Sequence, residues 1–235
     1  MAGAEKQRQA FQFYGRRKGR PLRKGRQSLF DELLPRITIK LTAEADALDP
    51  ATLFEPGTRA VWLEIGFGGG EHLAHQAASH PEIGFLGCEV FESGIASALS
   101  HIAERDLDNV RLHPEDARLL LAALEPQSLD RMFLLFPDPW PKRRHAQRRF
   151  VNRGNLDRIA ALIQPGGELR IASDDPTYVE WTLRHVPVHP AFQWLAEGPG
   201  DWLDRPADAI ETRYEKKARE AGRVPHFFRF RRRSA

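Results

Sequence analysis

Acidic residues stand at or just beyond the ends of three successive strand-like segments in this chain of 235 residues. Glu64 lies at the end of the run over residues 60–65, Glu89 at the end of 83–90, and Asp116 just beyond 110–113. Between the first two lies a glycine cluster, Glu64-Ile65-Gly66-Phe67-Gly68-Gly69-Gly70-Glu71. Glycines after a strand let the backbone turn tightly and approach a ligand with no Cβ in the way. A dinucleotide fingerprint requires a third glycine where Glu71 stands, and a carboxylate there has the wrong sign for a pyrophosphate. Carboxylates accept hydrogen bonds from ribose hydroxyls, from an adenine amino group and from a cationic amino-acid moiety. S-adenosylmethionine carries all three and no phosphate. Taken singly, each acid also suits a helix N-cap or a solvated loop; the glycine cluster and the three strand ends together favour the cofactor.

A second constellation follows the fourth apolar run: Phe136-Pro137-Asp138-Pro139-Trp140-Pro141-Lys142-Arg143-Arg144-His145-Ala146-Gln147-Arg148-Arg149. Three prolines in five residues fix φ and restrict the residues before them, a stiffness suited to holding Asp138 at one place. Trp140 either packs the loop down or stacks on a base. The five cations that follow offer phosphate contacts beside the reactive centre. The bland alternative is a proline-rich loop leading into a basic helix start.

The elements that must position these residues read from residue 60 onward as strands alternating with helices. Strands are expected at 60–65, 83–90, 110–113, 131–136 and 168–172. Helices are expected after the glycine cluster to about 80, and over 93–105, 118–124 and about 150–163, with another beginning at Pro176. This alternation implies right-handed βαβ units, a mostly parallel sheet with helices on both faces, and ligands at the carboxyl ends of the strands. Phe227, Phe228 and Phe230, set among arginines, suit a closing antiparallel C-terminal strand. Residues 1–30 read as a basic flexible arm, and 31–235 as a single domain.

The net charge of +3 conceals a strong segregation. Residues 1–30 carry +8, residues 142–149 carry +5 and residues 211–235 carry +6, which leaves −16 on the remainder. Clustered Lys and Arg on an acidic body point to a polyanionic partner, nucleic acid above all, provided the segments converge in space. Solvated faces or a tail are the competing reading, and an organelle transit peptide is disfavoured by the glycines of the arm. The longest apolar run, residues 119–124, is six long, so no membrane span is expected. With no secretory signal and a single cysteine, a cytoplasmic protein without disulfides is expected. Cys88 lies within a strand and reads as core, not as a nucleophile. His72 and His75 lack a third ligand, so no metal site is expected.

The chain resembles the bacterial tRNA (guanine-N7-)-methyltransferases, whose signature is close to P-D-P-W-x-K-x-R-H-x-K-R-R. The likeness extends to Glu64-Ile65-Gly66, Gly87-Cys88-Glu89, Ala172-Ser173-Asp174 and Thr212-Arg213-Tyr214-Glu215, and covers about residues 16–230. Gln147 departs from the signature, where a basic residue is usual. The resemblance implies a Rossmann-like class I methyltransferase sheet that uses S-adenosylmethionine to methylate N7 of guanine 46 in the tRNA variable loop. It implies that Glu64, Glu89, Asp116 and Asp138 line the cofactor and reaction site, with Gly66 and Gly68 in the loop beside them. Asp138 is the expected catalytic residue, positioning the base or stabilising developing positive charge. Lys142, Asp174, Thr212, Arg213, Tyr214 and Glu215 are implied to contact the RNA, and Arg144, Arg148 and Arg149 are expected on its phosphates. Thr212-x-x-Glu215 is also a capping-box pattern, and Asp174-Asp175-Pro176 a normal helix start. A monomer or homodimer with no obligate protein partner is expected. Two other function classes remain: an RNA-binding module on a degenerate cofactor fold, which would not require the strand-end acids, and a nicotinamide-dependent oxidoreductase, disfavoured by the missing glycine.

Overall fold

A computed structural model describes residue 15, residues 17–41 and residues 47–234; the first half of the basic arm lies outside these. Seven strands form one sheet in the order β3-β2-β1-β4-β5-β7-β6. They are β1 (Ala60–Ile65), β2 (Ile83–Cys88), β3 (Val110–His113), β4 (Leu129–Leu135), β5 (Ile163–Ser173), β6 (Phe192–Trp194) and β7 (His226–Arg232). β1 to β5 run parallel, and β7 inserts antiparallel between β5 and β6. The expected α/β sheet with an antiparallel C-terminal strand is therefore present. The chain moves from β1 outward to β2 and β3, then returns to the other side of β1 as β4. The strand order thus reverses between β1 and β4, and the crevice beyond their carboxyl ends is where such sheets bind ligands.

Side-chain alternation sends Val61, Leu63 and Ile65 to one face with Leu86, Met132, Leu134, Leu169 and Ile171. That face is covered by α4 (Ala117–Ala123), α5 (Arg153–Leu162) and α6 (Pro176–His185). Trp62, Phe85 and Phe133 point the other way, against α2 (Glu71–Ser79) and α3 (Glu92–Glu104). α1 (Lys24–Glu32) adds Leu29 and Phe30 to this second layer. The described end of the basic arm is accordingly seated on the domain instead of hanging free: Glu92 N–H donates to the Arg17 carbonyl at 2.9 Å, and α1 packs along α3. α1 buries no residue fully, and its cations face outward.

Under β4, β5 and β7 the second face carries charge. Arg131, Glu168, Arg170 and Arg229 share one parity and meet there. Glu168 takes Arg170 and Arg229 at 2.9 Å each, and Asp208 takes Arg170 at 2.8 Å and Arg131 at 3.3 Å. Burial and the neighbouring Arg170 bring Arg131 down to about 10, against the pull of the two carboxylates. The network ties the segment before α7 (Arg213–Glu220) to the sheet. Among the described residues no helix is long and apolar enough to cross a membrane.

Candidate active site

The glycine loop leaves β1 in a conformation that L side chains rarely adopt, with φ of +70° at Gly66, +57° at Gly68 and +80° at Gly70. Gly70 also lies close against α3, since a Cβ there would stand 2.5 Å from that of Ala98. At exposed Gly66 a Cβ would meet nothing within 4 Å, so the loop opens onto free space beside the strand end. Glu71 folds its carboxylate back over the start of α2, 2.6 Å from where a Cβ on Gly69 would lie. An acid in the first turn of this helix suits its dipole and disfavours a phosphate there.

Glu89 holds this loop from β2. Its Oε2 accepts the Gly68 N–H at 2.9 Å, and its Oε1 accepts Val90 N–H at 2.8 Å and Phe91 N–H at 3.0 Å. Those two bonds also explain why β2 stops at Cys88, short of the expected residue 90: the side chain takes the next amides before a neighbouring strand does. Glu64 is buried, 4% exposed, with its Oε2 against His72 Nδ1 at 2.8 Å. His72 is packed edge-on to Phe133 and gives sequence reasoning little to work with, because one helical histidine has no spacing signature. Asp116 caps α4. Burial would raise its carboxyl, but hydrogen bonds from the Arg118 side chain and backbone outweigh this and hold it low.

Sheet register brings these ends together: Ile65 stands beside Cys88 and Leu134, and Leu135 beside Ala172. A pocket of about 250 Å³ at the crevice is lined by Glu64, Gly66, Glu71, Phe136, Thr212 and Tyr214, among others. Glu89, Asp116 and Asp138 are not in its lining; they stand further along the same edge.

α7 closes the crevice. Thr212 Oγ1 accepts the Glu215 N–H at 3.2 Å as the helix cap. Glu215 is 1% exposed and neutralised by Arg205 at 3.1 Å and Arg219 at 3.0 Å. Tyr214 lies over the glycine loop, 2.6 Å from where a Cβ on Gly68 would be, and Arg213 reaches Glu71 at 3.7 Å. Asp174, at the end of β5, pairs with Arg223 at 2.5 Å.

The loop after β4 leads Asp138 out to solvent. It is followed by a 3-10 turn, Arg143–Arg148, where the basic run suggested the start of a longer helix. The cations expected together on phosphate are sorted by the fold. Lys142 and Arg144 are exposed. Arg148 lies over Trp140, with its guanidinium 4.9 Å from the ring centre. Arg149 is 4% exposed and points inward, donating to the Pro139 carbonyl at 3.0 Å and the Trp140 carbonyl at 2.9 Å. Arg149 thus differs from Lys142 and Arg144, its guanidinium being engaged inward on the loop's own carbonyls. Trp140 is engaged with Arg148 and with His145 in T-shaped contact, which favours the packing role over a free stacking platform.

A sequence family described as "Putative methyltransferase" matches residues 58–227. The tRNA (guanine-N(7)-)-methyltransferase of Rhodospirillum rubrum is 57% identical over 231 residues, covering 97% of this chain and 91% of that one. The protein of the same name from Paramagnetospirillum magneticum is 52% identical over 234 residues, covering 99% and 96%. Among solved structures, a 16S rRNA (adenine(1408)-N(1))-methyltransferase variant from Catenulisporales acidiphilia with cosubstrate SAM aligns with a TM-score of 0.52. At 17% identity over 76% of this chain and 88% of that one, it shares the fold.

Proposed function

The chain belongs to the tRNA (guanine-N7-)-methyltransferase family, and from that premise we propose that it transfers the methyl group of S-adenosylmethionine to N7 of guanine 46 in the tRNA variable loop. The observation that carries the reading is the crevice at the strand-order reversal. A glycine loop clamped by Glu89 and opening at Gly66 leaves β1 there, and the proline loop bearing Asp138 leaves the neighbouring strand β4.

When bound, S-adenosylmethionine supplies an electrophilic methyl group on a sulfonium. The residues present fit it: Glu64 is a buried carboxylate lining the pocket, able to face a cationic amino group, and Glu89 and Asp116 add acceptors along the edge for hydroxyl and amino donors. Guanine N7 has a lone pair and no proton, so no general base is required. The protein's task is alignment, an orientation effect, together with stabilisation of the positive charge that methylation leaves on the purine. Asp138 is exposed on the loop that follows β4, available to face that charge or the base's N–H groups. Thr212 and Tyr214 line the crevice pocket and would border an entering base, with Arg213 beside them; Glu215 is buried and would hold α7 in place, and Asp174 follows the end of β5.

Incubation with bulk tRNA and methyl-labelled cofactor, followed by nucleoside analysis, tests the activity. Label in 7-methylguanosine is the expected result; label in another nucleoside, or none, refutes it. Lys142→Ala and Arg144→Ala are expected to weaken tRNA binding and to flatten its log–log salt dependence by about 0.7–0.9 for each phosphate left without its cation. An unchanged slope would remove them from the phosphate interface.

A further inference from the structure

We infer that Arg149 is a positioning residue for Asp138, acting from inside the protein through the two carbonyls that follow the aspartate. The inference rests on the proposed placement of Asp138 at the reaction centre. Asp138 is bracketed by two strained residues, Phe136 at φ +50° and Trp140 at φ +42°. Left-handed backbone at a non-glycine residue is strained and persists only where surrounding structure enforces it. The loop cannot enforce it alone. Pro137, Pro139 and Pro141 have no N–H to donate, and the inward carbonyls of Pro139 and Trp140 need donors from elsewhere. Arg149 supplies both, Nε at 3.0 Å and Nη2 at 2.9 Å.

The guanidinium is itself fixed. It lies over the Trp181 ring of α6 at 4.4 Å, and Trp181 Nε1 donates to the Val151 carbonyl at 2.6 Å. Tyr178, one turn earlier on α6, accepts the Val151 N–H at 3.3 Å. A line of contacts therefore runs from α6 through Arg149 to the Asp138 loop. Only a planar fork spans two successive carbonyls; a lysine ammonium, with one nitrogen on a flexible stem, does not hold both in one geometry.

Arg149→Lys, Arg149→Met and Trp181→Phe test this in the full chain, read by steady-state kinetics, salt dependence and hydrogen exchange of the Asp138, Trp140 and Lys142 amides. Both Arg149 variants are expected to lose about 10- to 100-fold in kcat, the scale of a misplaced reacting group. The tRNA KM is expected to stay within about threefold, the salt slope to stay unchanged, and exchange in the loop to quicken. Trp181→Phe should give the same pattern more weakly. A raised KM with kcat retained and a slope flattened by about 0.7–0.9 would make Arg149 a phosphate contact and overturn the assignment. Unchanged kcat would equally overturn it. Should Arg149→Met fail to fold by circular dichroism, the lysine variant and Trp181→Phe still decide. If the wild-type protein moves no methyl group to guanine N7, the proposed function falls, whereas the exchange comparison still reports whether Arg149 holds the loop.

Discussion

Asp138→Asn is expected to lower the rate of methyl transfer by about 10²–10³-fold, the usual cost of removing one preorganised electrostatic group. The tRNA Kd should change by no more than about threefold, because the substitution leaves shape and the cationic contacts intact. The asymmetry follows from the chemistry. Neutral guanine acquires positive charge as N7 takes the methyl group, so a carboxylate interacts more strongly with the transition state than with the ground state, and only such differential interactions raise kcat. Asparagine keeps the size and one carbonyl acceptor but removes the charge, which separates this role from simple hydrogen bonding to the base. Single-turnover transfer alongside equilibrium tRNA binding is the decisive pair of measurements. Equal losses in both would make Asp138 a binding residue. Full activity would remove it from the reaction centre.

The second large effect is expected at Glu89. Its two oxygens accept three backbone N–H groups, one from the glycine loop and two from the start of the following turn. Glu89→Gln replaces one acceptor oxygen with an NH₂, so at least one of these donors faces another donor. Hydrogen bonds to a charged acceptor contribute about 1.5–3 kcal/mol, and a donor left unsatisfied adds its own cost. A loss of about 2 kcal/mol in stability is expected. A change of similar size is expected in the affinity for S-adenosylhomocysteine, weakened about 10- to 100-fold because Gly68 is no longer held against β2. Calorimetric titration gives the affinity and denaturant unfolding gives the stability. Unimpaired nucleoside binding at reduced stability would make Glu89 a structural cap and nothing more.

Local chemistry made much of the architecture readable. β1 and β3 begin and end where the sequence pattern places them, their apolar residues Val61, Leu63, Val110 and Leu112 being buried in the sheet. Boundaries moved where a side chain intervened. α5 starts at Arg153 because Asn152 accepts the Asn155 N–H at 3.0 Å as its cap. β5 reaches back to Ile163, through the expected Pro165-Gly166-Gly167 turn, by a shift in register against β4 between Leu129 and Arg131. β6 has only three residues, too few for any periodicity, and exists because β7 offers it a free edge.

The candidate site divides in the same way. Residue types and their order determined the glycine loop, the strand-end acids, the stiff Asp138 loop and the clustering of cations, because each depends on chain neighbours alone. Only the tertiary structure decided that Glu64 is paired with His72, that Tyr214 lies across Gly68, and that the segment leading to α7 is tied to Arg131 and Arg170. The same holds for Arg148 and Arg149. As neighbours of one type they are indistinguishable as sequence, yet one lies over Trp140 and the other is buried on two carbonyls. Burying a guanidinium is costly unless acceptors are already in place. Here they are the carbonyls of Pro139 and Trp140, ten and nine residues away, backed by Trp181 from another helix. The composition of the basic run foretold a charged surface; the distant partners determined which charge serves it and which holds the loop.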